Sequence, residues 1–307
     1  MKTTNLIRFC AMLIAVVAIG FSSCKKDKDP DTDSLQQMAA DENKMAASDD
    51  DVMNDVNSVI SGGGAKSLNS LPCNVSVDSA TVIGDTMIYN ITFNGLNCAG
   101  TRLRVGQAEV KKNIYTSWVN AGTSVVVKFI NLQITRVSDN KSLTLNGTRV
   151  YTNVSGGLIM NLGSTATSIV HRVSGALVAT FDDNTTRSWN VARQRTFTGT
   201  PGNLWCTVDG FGSADGYDYL VVWGTNRHGE QFYTQITQSV IHKQSCNWDP
   251  CAGVKVHQIP SDNKKATFTG GYDDNDQPVD VNGSVCPTKY RIDWEINGNS
   301  GTLYRFL

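Results

Sequence analysis

The chain has 307 residues, with 27 basic and 28 acidic side chains and a formal net charge of −1. A nearly neutral chain without basic blocks lacks the electrostatic footprint that neutralises nucleic-acid phosphates, so nucleic acid is excluded as a partner. The length allows one large domain or two smaller ones.

Lys2 and Arg8 precede an apolar stretch from Leu13 to Phe21, and small residues lead into Cys24, which is the three-part pattern of an export signal. A spanning helix needs about 20 apolar residues, and here Lys25, Lys26 and Asp27 follow Cys24 at once, so a permanent membrane helix is the weaker reading. Phe21-Ser22-Ser23-Cys24 resembles a bacterial lipobox, in which the cysteine thiol is acylated and becomes the first mature residue. That resemblance implies a signal peptide over 1–23, lipidation at Cys24 and a membrane partner held through the anchor. Each buried methylene contributes about 0.8 kcal/mol, so more than one acyl chain holds the protein firmly. Lys25 in place of aspartate, by resemblance to enterobacterial sorting signals, implies the outer membrane. Without residues 1–23 the chain keeps 25 basic and 28 acidic residues, a formal −3.

Residues 24–47 read as a flexible tether. Lys25-Lys26-Asp27-Lys28-Asp29-Pro30-Asp31 has mixed charge and no apolar side chain, so it cannot bury enough surface to offset its ordering entropy. The run resembles the charged segment behind the acylated cysteine of surface-exported lipoproteins of Bacteroidota, which implies an outward-facing position. Residues 48–72 read as a short helix and linker: Ser48 is the expected N-cap, and Val52, Met53, Val56, Val59 and Ile60 recur at helical spacing. Gly62-Gly63-Gly64 is the expected stop.

From residue 73 to 307 the pattern is all-β. Val125–Val137, Leu143–Thr152, Ser168–Phe181, Tyr219–Trp223, Glu230–His242, Ala266–Tyr272 and Tyr290–Ile296 are rich in β-branched and aromatic residues and read as strands. Asp209-Gly210, Asp215-Gly216, Asn282-Gly283 and Asn297-Gly298 favour primed hairpin turns, so neighbouring strands are expected to be antiparallel. Leu143 and Leu145 lie out of phase with Val150, which marks Gly147 as a bulge. The expected fold is a large antiparallel meander or a β-sandwich with long strands, with a possible subdivision near residue 200.

Once Cys10 leaves with the signal and Cys24 goes to lipid, Cys73, Cys98, Cys206, Cys246, Cys251 and Cys286 remain. An even set in an exported chain reads as disulfides, although six cysteines allow 15 pairings. Cys73 with Cys98 flanks an expected hairpin, Cys246 with Cys286 crosses the C-terminal strands, and Cys206 with Cys251 is what remains. His242, Cys246, Cys251 and His257 come close to zinc-ligand spacing, but oxidising surroundings favour disulfides and ordinary strand histidines.

No motif for a nucleophile elbow, a zinc helix, a phosphate loop or a dinucleotide site is present, and no cofactor is expected. A glycoside hydrolase needs only two carboxylates, and Glu295, beside Asp293 and Trp294, is the best-placed glutamate. Asp273, Asp274, Asp276 and Asp280 cluster in an expected loop and are weak calcium candidates, since turn chemistry explains them equally well. Trp189, Trp205, Trp223 and Trp248 are glycan-binding candidates, with core packing as the competing role. Arg187, Arg193 and Arg195 lie near Trp189 and could add donors or cation-π contacts.

Asp50-Asp51-Val52, Phe93-Asn94-Gly95-Leu96-Asn97-Cys98, Asn146-Gly147-Thr148, Thr152-Asn153, Trp223-Gly224-Thr225, Cys246 with Pro250 and Gly253, and Cys286 with Asn297-Gly298 carry a further likeness. Together they resemble a group of Bacteroidota outer-membrane or surface lipoproteins with no established activity, to which Cys206 and Cys251 are additions. The resemblance implies a lipid-anchored envelope protein whose role is binding, adhesion or structure, with a glycan or an envelope protein as partner. A glycan-binding or glycan-degrading component is the alternative.

Overall fold

The computed structural model describes residues 71–307 and, before them, Gln37, Asp41, Met45, Ser48, Val52, Asp55 and Val56. The signal peptide, Cys24 and the Gly62–Gly64 stop lie outside the described residues. Strands β1 (Val75–Ile83), β2 (Thr86–Leu96), β3 (Arg102–Asn113), β4 (Thr123–Arg136) and β5 (Ser142–Asn153) open the fold. They continue as β6 (Ser168–Phe181), β7 (Thr186–Thr200), β8 (Asn203–Gly210), β9 (Gly212–Ala214) and β10 (Tyr217–Thr225). The last five are β11 (Gln231–Lys243), β12 (Pro250–Ile259), β13 (Lys264–Tyr272), β14 (Lys289–Ile296) and β15 (Asn299–Phe306).

All belong to one 15-stranded antiparallel meander, with β1 and β15 at its edges. The order follows the chain except where β8 pairs with both β7 and β11, displacing β10 toward the other end of the same two strands. The sheet passes residue 200 without a break, since β7 pairs with β8 across the turn there. Register shifts interrupt the β1–β2, β3–β4, β4–β5 and β11–β12 ladders, and each such bulge adds local bend and twist.

The inner face holds the core. Tyr89, Ile91 and Phe93 of β2, Val125, Val127 and Phe129 of β4, Leu143 and Leu145 of β5, and Ile292 and Ile296 of β14 are buried in one cluster with Met45, Val52 and Val56 of the N-terminal helical segment. Gln37, Asp41, Met45, Ser48, Val52, Asp55 and Val56 are all helical, and their spacings of three and four residues place them on one stripe. Ser48 is therefore not an N-cap: it is helical and buried, with helical residues on both sides. Asp41 and Met45, placed by sequence in the tether, are buried helical positions as well.

Arginines share this inner face. The Arg104, Arg149, Arg187 and Arg227 guanidiniums lie 5.2, 4.3, 4.4 and 3.4 Å from the ring centres of Phe93, Trp189, Phe232 and Phe181. Asp55 pairs with Arg104, and Asp41 receives both Nε and Nη2 of Arg227, at 2.7 and 2.6 Å. Arg149 explains the apparent phase break in β5. Leu143, Leu145, Arg149 and Tyr151 all point inward and Val150 is the outward residue, so the alternation never breaks. The bulge belongs to β4, where Ile130 and Asn131 occupy the space opposite Asn146. Gly147 instead permits close approach, because a Cβ there would sit 2.4 Å from the Ala176 carbonyl.

The Asp41–Arg227 pair, with side chains 5% and 16% exposed, is the best place to test the helix–sheet junction. Arg227→Ala should cost about 3 kcal/mol in urea unfolding, because it strands the buried Asp41 carboxylate, and Asp41→Ala should cost less, because Arg227 keeps Asp183 at 3.1 Å. The double-mutant cycle should show a coupling above about 1 kcal/mol. Additive effects would mean that the pair does not hold the helix.

Candidate functional site

The last three strands build an open groove of about 310 Å³ lined by Lys265, Thr267, Asp293, Trp294, Glu295, Ser300, Gly301 and Thr302. Register explains the assembly. Thr267, Asp293 and Thr302 form one cross-strand row, and Lys265, Glu295 and Ser300 form the next. Asn297 and Gly298, both at positive φ (49° and 82°), make a two-residue turn of the primed type, and β15 pairs back on β14 with no shift. Gly301 sits opposite Trp294, and a Cβ on it would come within 2.6 Å of the indole.

Asp293 is fully engaged: Arg291 Nε donates to one oxygen at 2.9 Å and Thr302 Oγ1 to the other at 2.7 Å. Glu295 lies two residues along the same strand face, about 7 Å away by strand rise, and its side chain is exposed. An inverting glycosidase holds a water between carboxyl groups about 6.5–9.5 Å apart, so two carboxylates one strand repeat apart on the same face are a candidate pair. The walls, however, exclude no water, and Asp293 spends both oxygens on structural partners. The groove can hydrogen-bond a polar ligand through three hydroxyls and one charge of each sign. Lys265, Thr267, Ser300 and Thr302 carry no signal in the sequence; only the cross-strand register brings them to Glu295.

The tryptophan candidates do not form one surface. Trp189 is 0% exposed beneath Arg149, which removes it as a glycan platform. Trp205 is half-buried with the Lys243 ammonium 5.2 Å from its ring centre, and Trp223 is half-buried with its ring edge beside Gly212. Of the four, only Trp248 keeps a widely exposed ring. The calcium candidates diverge likewise: Asp273 accepts from the Asn275 and Gln277 amides, Asp274 from Thr288, Asp276 from Lys289 and Asp280 from the Asn282 amide. Among the described residues no group of three or more His, Cys, Asp or Glu side chains is arranged to hold a metal ion.

Disulfides join Cys73 to Cys98 and Cys246 to Cys286, as the sequence suggests. The third expected bridge does not form, and Cys206 and Cys251 are buried thiols. Strand β11 lies between them: Cys206 is opposite His242, and His242 is opposite Pro250, the neighbour of Cys251. Two strand spacings amount to about 10 Å, beyond the roughly 7 Å that a disulfide spans. Asp209-Gly210 is likewise no turn but the end of β8, whereas Asp215-Gly216 and Asn297-Gly298 do turn hairpins.

The zinc reading fails at the same place, since Cys246 is oxidised and the histidines are committed. His242 Nδ1 donates to the Trp248 carbonyl at 2.9 Å, and His257 Nδ1 lies 2.6 Å from Thr234 Oγ1. Burial, reinforced by Lys255, Arg195 and Arg193, lowers His242 from 6.5 to about 4 despite that carbonyl. Burial and then Arg187 and Lys255 lower His257 to about 3, while burial and Arg195 lower His171 to about 4.

No protein-family model, curated protein or solved structure matches the chain. Among the described residues no helix is long and apolar enough to cross a membrane.

Two outcomes follow from this geometry. The unfolded chain protonates its histidines near pH 6.5, whereas the folded protein holds His171, His242 and His257 neutral down to about 4 or 3. Stability is therefore intact above pH 6.5 and falls as the pH drops through that window. Urea midpoints should decline steadily from pH 7 to 4.5, and a flat profile would contradict the burial of neutral imidazoles. Gly301→Val should expel the Trp294 ring and red-shift tryptophan emission, with unfolding weakened by about 1–3 kcal/mol.

Proposed function

We propose that the chain is an envelope lipoprotein, acylated at Cys24 and held on the outer membrane facing outward, that serves as a non-enzymatic binding module. The supporting observation is the groove on β13–β15. Its hydroxyl rows and exposed Glu295 suit recognition of a polar ligand, while Asp293 is tied to Arg291 and Thr302 and the shallow walls leave reacting groups in water. The lipobox-like Phe21-Ser22-Ser23-Cys24 and the likeness to Bacteroidota lipoproteins support the address. The two disulfides fit an oxidising compartment. A glycan-degrading component is the second reading, favoured by the Asp293–Glu295 spacing on one strand face.

Two measurements test this proposal. Detergent phase partition of the protein expressed in a Bacteroidota host should place the wild type in the detergent phase and Cys24→Ala in the aqueous phase; equal partition rejects the anchor. A glycan array followed by a hydrolysis assay on any ligand found should give binding without turnover, weakened about tenfold by Lys265→Ala or Glu295→Ala. Turnover abolished by Glu295→Gln would replace the first reading with the second.

A further inference from the structure

Between β7 and β11 the ladder is interrupted by a segment that leaves it. Gly210, the last residue of β8, sits opposite Arg193, and Val222 of β10 sits opposite Val191, so β8 and β10 occupy successive stretches of the same β7 neighbour. Between them the chain makes a hairpin from β9 and the start of β10, turned by Asp215 and Gly216 at φ 50° and 83°. Its exposed residues are Phe211, Ser213, Asp215, Gly216, Asp218 and Tyr219. None is aliphatic: the exposed surface is two aromatic rings set among hydroxyl and carboxylate groups.

The aromatic rings of this hairpin are braced. Tyr217 stacks on Tyr233 of β11 with ring centres 4.4 Å apart, and the Tyr233 hydroxyl donates to Asp215 at 2.5 Å. Phe211 is 38% exposed, with the Arg172 guanidinium 4.7 Å from its ring centre and Arg172 Nε fixed to Gln194 at 2.9 Å. The planar polar groups are fixed as well: Ser213 donates to Asp218 at 2.7 Å, Gln235 to the Asp218 carbonyl at 2.7 Å, and Gln258 to Gln235 at 3.1 Å.

Tyr219 is the informative residue. It holds a left-handed backbone (φ 56°) that bulky side chains avoid, yet its ring is 70% exposed. Burial therefore does not offset the strain, and Asn or Gly would fill the position at lower cost. Strain kept without a packing return is the pattern found where a side chain must be displayed.

We propose that this hairpin is a carbohydrate-binding platform: the exposed Tyr219 ring stacks on the apolar C–H face of a neutral pyranose, and the neighbouring Asp218 carboxylate bonds hydroxyls at its rim. Aromatic faces ringed by planar hydrogen-bonding groups match a ligand that is apolar on its faces and polar at its edge. The site deepens the binding-module reading and rests on it, but it is separate from the groove on β13–β15.

The test is calorimetric titration of the detergent-solubilised full chain with cellohexaose, xylohexaose, maltohexaose and mannohexaose. At least one should bind saturably at millimolar concentration. Tyr219→Phe should keep that affinity, and Tyr219→Ala should lose about tenfold. Tyr219→Asn should weaken binding about tenfold, as Tyr219→Ala does, while raising the urea midpoint, because it removes the ring and relieves the left-handed strain together; a merely structural tyrosine would lower the midpoint and leave binding intact. Binding that survives Tyr219→Asn and disappears with Glu295→Ala overturns this site and leaves the binding-module reading standing. Absence of saturable binding to all four sugars overturns the platform, and array binding of another ligand class would then show that the broader reading survives it.

Discussion

Four guanidiniums on the inner face, each laid against an aromatic ring, set the terms for the rest of the molecule. Arg104, Arg149 and Arg187 are among its largest fully buried side chains. A sheet face with such residues cannot be closed by a second apolar sheet, because a desolvated cation needs an acceptor or a counter-charge. The N-terminal helical stripe meets that need: Met45, Val52 and Val56 supply apolar contact, while Asp41 and Asp55 reach Arg227 and Arg104. Backbone carbonyls complete the shell, with Cys73 serving Arg104 and Gly175 serving Arg149. The helical stripe and the meander therefore share one core.

That division of labour frees the outer face. Charges, imidazoles and aromatic rings needed for cohesion are turned inward. The outward positions of β13–β15 therefore carry hydroxyls, Lys265 and Glu295 at fixed cross-strand intervals with little structural duty. Side chains on paired strands are placed more accurately than side chains on loops, and the unshifted β14–β15 register keeps the groove residues in rows. The histidines illustrate the opposite case. Held neutral beside Arg187, Arg193, Arg195 and Lys255, they bind inner-face stability to pH and leave the outer face chemically quiet.

The sequence is most legible where the inner face is apolar. Ser168–Phe181 is read as β6 to the residue, and Leu143–Thr152 falls one residue short of β5 at each end. Strands β3 and β7 escape notice where Arg104, Arg187 and Arg193 occupy inward positions and break the apolar–polar alternation, while β1, β2, β8, β12 and β15 are not read as strands either, although Tyr89, Ile91 and Phe93 of β2 alternate inward. The same cause made Val150 look like the inward residue of β5 when Arg149 holds that place. Cysteine pairing was legible for Cys73–Cys98, whose partners flank neighbouring strands, and illegible for Cys206 and Cys251, because only topology reveals that β11 separates them. The groove was half legible: Asp293, Trp294 and Glu295 are adjacent in sequence, but the hydroxyls opposite them come from two other strands.

The hairpin between β8 and β10 shows why an interruption can be more informative than a motif. A continuous strand joining Gly210 directly to Val222 would have completed the ladder between β7 and β11. The chain instead diverts through β9, accepting register shifts at Tyr217/Leu220 and Leu220/Val222 and a left-handed tyrosine. Bulges of this kind re-aim side chains, and here the side chains re-aimed are the ones left in solvent. Tyr217 and Tyr233 account for the rigidity of the excursion, since stacking and the Asp215 bond fix its stem. Phe211 has an intramolecular use for its ring, under the Arg172 guanidinium, whereas nothing in that stem requires Tyr219 to be aromatic. The Tyr219 ring, left in solvent on a left-handed backbone, is the one whose character folding leaves unexplained and the proposed platform accounts for.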